Sequence, residues 1–156
     1  MKKLSIGIIT CTILFCAWSC LKSKDNSCQS MAPETELPQM KAFCTANNIE
    51  YTQLSNGLLY QVVDSGSGTA PANQSVIYVI YKGTLLNGTV FDQTNTAVKM
   101  NLSNLIEGWK VGLPLIKRGG HIKLIIPSYL GYGCAELTGI PANSALYFDI
   151  KLTDVQ

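Results

Sequence analysis

The chain has 156 residues, 47% of them hydrophobic, and a formal net charge of +2. That length builds one domain with a real core and leaves some chain over at an end. No charge run occurs, and without Lys2 and Lys3 the balance falls from +2 to about zero, so no basic face remains to suggest nucleic acid.

Lys2 and Lys3 open onto Leu4 to Trp18, a stretch almost wholly apolar but too short to span a bilayer comfortably. Ala17-Trp18-Ser19-Cys20 follows, with a small residue just before a Cys. This is the layout of a secretory signal over residues 1–19. It resembles a bacterial lipoprotein signal, in which Cys20 becomes the lipidated first residue and ties the protein to a membrane of the cell envelope, facing the periplasm. Ala17 stands where such signals commonly carry Leu. The other reading is an uncleaved membrane anchor; a buried core helix is disfavoured because the stretch has no polar second face.

Of the six cysteines, Cys11 and Cys16 leave with the signal and Cys20 is the lipidation candidate. Cys28, Cys44 and Cys134 remain. One disulfide is possible among them, and Cys28 to Cys44 closes the shorter loop, although spacing does not fix connectivity. Cys134 reads as a plain loop cysteine. No C-x-x-C pair occurs, which disfavours zinc and thioredoxin-type sites.

Residues 20–35 are polar, with Ser, Lys, Asn, Glu and Pro, and read as a tether. Glu36 to Ala46 reads as a short packing helix with Leu37, Met40, Lys41 and Cys44 at 3-4 spacing, stopped by Asn47-Asn48. With the strand that follows, it forms an extension over residues 36–57. Ser55-Asn56-Gly57 is a hairpin turn, and Leu58 to Val63 a strand. The glycines of Asp64 to Gly68 precede no helix, so they do not cradle a phosphate.

Val76 to Tyr81 suits a central strand, which Lys82-Gly83 is expected to break. Leu85 to Phe91 reads as a hairpin with Asn87-Gly88 at its tip. Gln93 to Ala97 reads as a polar loop and Val98 to Leu102 as a short strand. A short helix then carries Leu105-Ile106-Glu107-Gly108-Trp109, capped by Ser103 or Asn104 and ending near Gly112, since Pro114 discourages continuation. Gly108 is expected to let a backbone or a ligand come close. Trp109 is either a core anchor or the floor of an apolar pocket. In the next strand Ile122, Leu124 and Ile126 alternate with His121, Lys123 and Ile125, giving one buried and one mostly wet face, with His121 on the surface. In the last strand, Ala145 to Val155, Leu146, Phe148, Ile150 and Leu152 point inward. The sum is an α+β domain of antiparallel strands with one short helix against the sheet.

The aromatic and polar residues at strand ends and loops share an order with a known family. The stretches are Tyr81-Lys82-Gly83, Gly88 to Asp92, Leu105 to Trp109, Lys123 to Pro127, Tyr129 to Gly133 and Ile140 to Asp149. In sequence and spacing they resemble the FKBP-type peptidyl-prolyl cis-trans isomerases over residues 58–156. The resemblance implies a twisted antiparallel sheet wrapped around one short helix, with a pocket between the two. It makes Trp109 the pocket floor, Tyr81, Phe91 and Phe148 aromatic walls, Leu105 and Ile106 the aliphatic rim, and Ile140 the closure on the loop side. It gives the Ile106 N–H and the Tyr132 hydroxyl to substrate carbonyls, and buries Asp92 beside Tyr81 to orient polar groups near the amide. Proline-containing polypeptides are the implied partners, macrolides a further ligand class, and no cofactor or metal is needed. Val98 and Met100 stand where the family commonly has another aromatic wall, and Leu105 where Val is usual. An isomerase and a catalytically weak proline-binding module or chaperone therefore both remain as function classes.

Overall fold

The computed structural model describes residues 28–156. The expected signal over 1–19 and its Cys20 lie outside the described residues. The chain order is helix α1 (Pro33–Ala46), strands β1 (Thr52–Gln53), β2 (Leu59–Asp64), β3 (Val76–Leu85) and β4 (Val90–Asn101), helix α2 (Glu107–Gly112), and strands β5 (His121–Ile126) and β6 (Leu146–Val155). The strands form one six-stranded sheet in the order β1-β2-β5-β6-β3-β4, every pair antiparallel. This is the α+β arrangement the sequence suggests.

Both Asn-Gly turns form where expected. Gly57 and Gly88 take φ values of +78° and +88°, which an ordinary side chain resists, and each closes a tight connection between paired strands.

Two strand readings are corrected. Lys82-Gly83 does not break β3, which runs on to Leu85. Gln93 to Ala97 is not a loop but part of β4, paired to β3 with register shifts that absorb the irregularity. β4 is an edge strand with no buried residue, so neither of its faces imposes an apolar alternation that sequence reading could detect.

α1 begins at Pro33, so residues 33–35, read as the end of the tether, are its first turn. Pro suits that position because its fixed φ is already helical and its missing N–H is not needed there. Glu34 and Glu36 favour the same helix end. α1 packs on one face of the sheet, where Met40, Cys44, Ile49, Leu59, Ile125 and Ala145 form a buried cluster. Ile125, read as lying on the mostly wet face, is fully buried because α1 covers it.

Cys28 pairs with Cys134, not Cys44, and Cys134 is not a free loop thiol. Cys44 is a fully buried thiol on the sheet-facing side of α1, held protonated by burial. His121 is corrected too: it is half-buried, with Nε2 2.6 Å from Asp149 Oδ1.

The other face carries α2 and the larger core, including Ile77, Val79, Leu102, Leu113, Ile122, Leu124, Ile126, Leu146, Ile150 and Leu152. α2 lies very close to β5. A Cβ added at Gly108 would sit 2.5 Å from Ile126, and one at Gly112 would sit 2.7 Å from Leu124. The close approach expected at Gly108 is thus made by a strand side chain, not by a backbone or a ligand.

Candidate active site

The site begins at the connection between β4 and α2. Ser103 and Asn104 do not cap α2 as expected. They form a 3₁₀ turn with Leu102, whose buried side chain anchors it and whose carbonyl accepts the Leu105 N–H at 3.2 Å. Leu105 and Ile106 then run extended, and Ile106 is the N-cap, without a side-chain cap. Its carbonyl accepts the N–H groups of Trp109 and Lys110 at 3.0 and 3.3 Å. Among the described residues, no acceptor binds the Ile106 N–H itself.

Trp109 is 3% exposed. Its indole stands edge-on to Tyr81, with centroids 5.3 Å apart at 86°, and edge-on to Phe148, at 5.2 Å and 90°. Phe148 is edge-on to Phe91 at 5.5 Å and 82°. Edge-to-face contact places the positive rim of one ring against the negative face of the next, and each such pair adds about 0.5–1.5 kcal/mol beyond area burial. Gly83 gives two of these rings their place. A Cβ there would lie 2.7 Å from the Phe148 ring and 2.8 Å from the Phe91 ring.

These rings do not close over one another. They surround a cavity of about 200 Å³ lined by Tyr81, Phe91, Asp92, Met100, Asn104, Leu105, Ile106, Trp109, Tyr132 and Phe148. An apolar cavity of roughly 150 Å³ already takes up a benzene, so a prolyl ring is well within its capacity. The structure therefore brings eight of the nine expected pocket residues together. Ile140 is the exception: it is 5% exposed, packs into the core and is bridged to Leu137, away from the cavity lining.

Asp92 also differs from expectation. It is exposed at the mouth rather than buried, although its Oδ2 accepts the Tyr81 hydroxyl at 2.5 Å. Burial, then that hydrogen bond and the negative charge of Asp92, with a smaller effect of Tyr132, push the Tyr81 hydroxyl far above its ordinary pKa of 10.0. Burial and the charge of Asp92 raise Tyr132 as well. Both hydroxyls are thus neutral donors at physiological pH. Tyr132 is 37% exposed, and among the described residues its hydroxyl has no hydrogen-bond partner. Met100 and Asn104 were not foreseen as lining. Met100 fills the region where an aromatic wall was missing, and its place at that position, where the family commonly has an aromatic wall, was the sequence signal for it.

No group of three or more His, Cys, Asp or Glu side chains able to hold a metal occurs among the described residues. The arrangement offers a ring-lined cup, with a hydroxyl and a free backbone N–H at its edge.

Residues 67–153 match the family described as FKBP-type peptidyl-prolyl cis-trans isomerase. The chain belongs to this family. It is similar to the FKBP-type peptidyl-prolyl cis-trans isomerase FkpA of Buchnera aphidicola subsp. Acyrthosiphon pisum (strain APS), 48% identical over 119 residues that cover 74% of this chain and 48% of that one. It is also similar to the outer membrane protein MIP of Legionella longbeachae, 36% identical over 121 residues, covering 74% and 52%. Among solved structures, the crystal structure of FkpA from Escherichia coli superposes with a TM-score of 0.70 at 40% identity, covering 80% of this chain and 61% of that one. The chain spans about half the length of these curated relatives. The FKBP match begins after β2, so α1, β1 and β2 lie outside it.

Proposed function

We propose that this chain is a peptidyl-prolyl cis-trans isomerase that assists folding of cell-envelope proteins, held to the membrane by lipid on Cys20. The observation that carries the activity is the cavity itself: about 200 Å³, walled by Tyr81, Phe91, Trp109 and Phe148, with Tyr132 and Ile106 on its edge. The relatives named FkpA carry isomerase in their names, and MIP is named an outer membrane protein. The basic, apolar, small-residue-then-Cys start of the chain supports the lipid anchor.

An X–Pro bond turns slowly because resonance keeps the amide planar, with a barrier of roughly 20 kcal/mol. No bond to the substrate needs to form. The prolyl ring sits on Trp109 between Tyr81, Phe91 and Phe148. The twisted amide has lost resonance and is less polar than the planar one, so a ring-lined pocket disfavours it less than water does. The Ile106 N–H and the Tyr132 hydroxyl hold the flanking carbonyls while the amide turns. Asp92, bound to the Tyr81 hydroxyl, fixes that ring and keeps a negative edge at the mouth. A million-fold acceleration requires about 8 kcal/mol from these effects together. The same cup accepts macrolides whose ring systems mimic a prolyl group.

The deciding experiment is NMR exchange of a proline tetrapeptide with the protein present and no protease. Cis-trans exchange well above the uncatalysed rate, lost on Trp109→Ala, is the expected result. Binding of the peptide without faster exchange would overturn the isomerase in favour of the proline-binding module. Metabolic labelling with a fatty acid, lost on Cys20→Ala, tests the anchor; no labelling of the unmodified chain sinks it.

A further inference from the structure

The loop carrying Tyr132 is anchored to the core through Leu130 and Ile140, and is also tied from outside the family-matching region. It starts at the 3₁₀ turn Ser128–Leu130. There Ser128 donates its N–H at 2.9 Å and its hydroxyl at 2.8 Å to Oε2 of Glu36, a carboxylate with 0% exposure on α1. Glu36 Oε1 is buried with no hydrogen-bond partner among the described residues. Next to Ser128, the Tyr129 hydroxyl donates to the Asn56 carbonyl. In mid-loop, two residues after Tyr132, Cys134 is bonded to Cys28. At the far end, Asn143 Oδ1 accepts the Met31 N–H at 3.2 Å, and the Asn143 N–H donates back to the Gly133 carbonyl at 2.8 Å.

Every outside partner here belongs to residues 28–56, whereas the family match covers residues 67–153. The loop contains Gly131, Gly133 and Gly139, which do little to stiffen a backbone. The contacts also differ from those that seat α1 on the sheet, which run through Met40 and Cys44. A fully buried carboxylate is costly unless hydrogen-bonded, and both hydrogen bonds seen on Glu36 come from Ser128, at the start of this loop.

We propose that residues 28–56 form a clasp that positions Tyr132 at the pocket, with Glu36 and the Cys28–Cys134 disulfide as its positioning groups. Neither touches the substrate. Both act by fixing the backbone on either side of Tyr132, and a displacement of about 1 Å in such a group costs up to a hundredfold in rate. The pocket thereby becomes sensitive to the thiol–disulfide state of its surroundings. The clasp rests on the reading of Tyr132 as the pocket hydroxyl.

The test is a double-mutant cycle on the full chain, read by peptide exchange NMR. Cys28→Ser with Cys134→Ser is expected to lower kcat/KM about five- to tenfold, mostly in kcat, but less than about twofold when Tyr132 is already Phe. Glu36→Ala should behave like the cysteine pair, and Glu36→Gln, which keeps an acceptor for Ser128, should restore most of the rate. Equal losses with and without the Tyr132 hydroxyl would mean general loosening and overturn the clasp; so would no loss in folded variants.

Should the variants not fold, the unmodified protein is treated with dithiothreitol. Two electrons and two protons pass to the bridge, giving two thiols, while the reagent closes to its own cyclic disulfide. Faster hydrogen exchange at the Tyr132 and Gly133 amides, with β5 unchanged, is expected; unchanged loop protection overturns the clasp. Failure of the unmodified protein to speed peptide exchange counts against the isomerase reading alone, and the loop amides then decide the clasp.

Discussion

The two faces of the sheet carry similar apolar residues and end in opposite states. On one face, the 14 residues of α1 form a helix about 21 Å long, and its Met40 and Cys44 pack with Leu59, Ile125 and Ala145 into a buried cluster. On the other, the 6 residues of α2 reach only about 9 Å, far less than the roughly 24 Å width of six strands. Gly108 and Gly112 seat α2 tightly on Leu124 and Ile126, so the shortfall gathers beyond its first turn. There the rings of Tyr81, Phe91, Trp109 and Phe148 stand edge to face around a gap and leave it open. A long helix makes a wall of this sheet, and a short one makes a vessel.

The comparison predicts that the two faces can be damaged separately. The largest effect on stability belongs to the closed face. Met40→Ala should cost about 2–5 kcal/mol in denaturant unfolding, yet leave kcat/KM within about twofold while the protein stays folded. A large fall in turnover for the folded variant would show that the faces are not independent. Next is Gly83→Ala on the open face. The new methyl must displace the Phe91 and Phe148 rings, so a stability loss of about 1–3 kcal/mol should come with a kcat/KM reduced about tenfold. Unchanged turnover would mean that the two rings do not shape the proline seat.

The smallest effect is with pH. The folded protein holds the protons of Tyr81 and Tyr132 more tightly than the unfolded chain does. Their contribution to stability is therefore complete below the ordinary tyrosine pKa of 10.0 and fades as pH rises through the higher folded values. Melting temperature should show no tyrosine-dependent loss between pH 7 and about 9, then fall, and Tyr81→Phe should soften the fall. A tyrosine titration seen by ultraviolet absorbance below pH 9 in both residues would contradict this.

The open face was more legible in the sequence than the closed one. Rings at strand ends in a fixed order carried the pocket, because a cavity needs particular side chains at particular places. Asn56-Gly57 and Asn87-Gly88 were legible because each Gly supplies a backbone shape few residues can. Gly83 misled for the same reason: Gly usually marks a bend, but here it is flat strand that two rings must lie across. Ile125 looked misplaced on a wet face until α1 supplied its cover. The Cys28–Cys134 pair joins residues 106 apart, where loop length gives no guidance. Ile140 stands near the pocket in sequence order but turns into the core through its bridge with Leu137. Glu36 carried no signal at all, since a Glu in a first helical turn is ordinarily a solvated dipole partner.

The place of β6 has a consequence for how the chain is made. It is the last strand in chain order, yet it lies between β5 and β3 and pairs with both. Until it emerges from the ribosome, β1-β2-β5 and β3-β4 have no seam to join them, and the pocket, whose Phe148 wall it supplies, does not exist. Assembly of this domain therefore waits on its final segment, and during that wait two raw sheet edges stand open to whatever binds nascent chains.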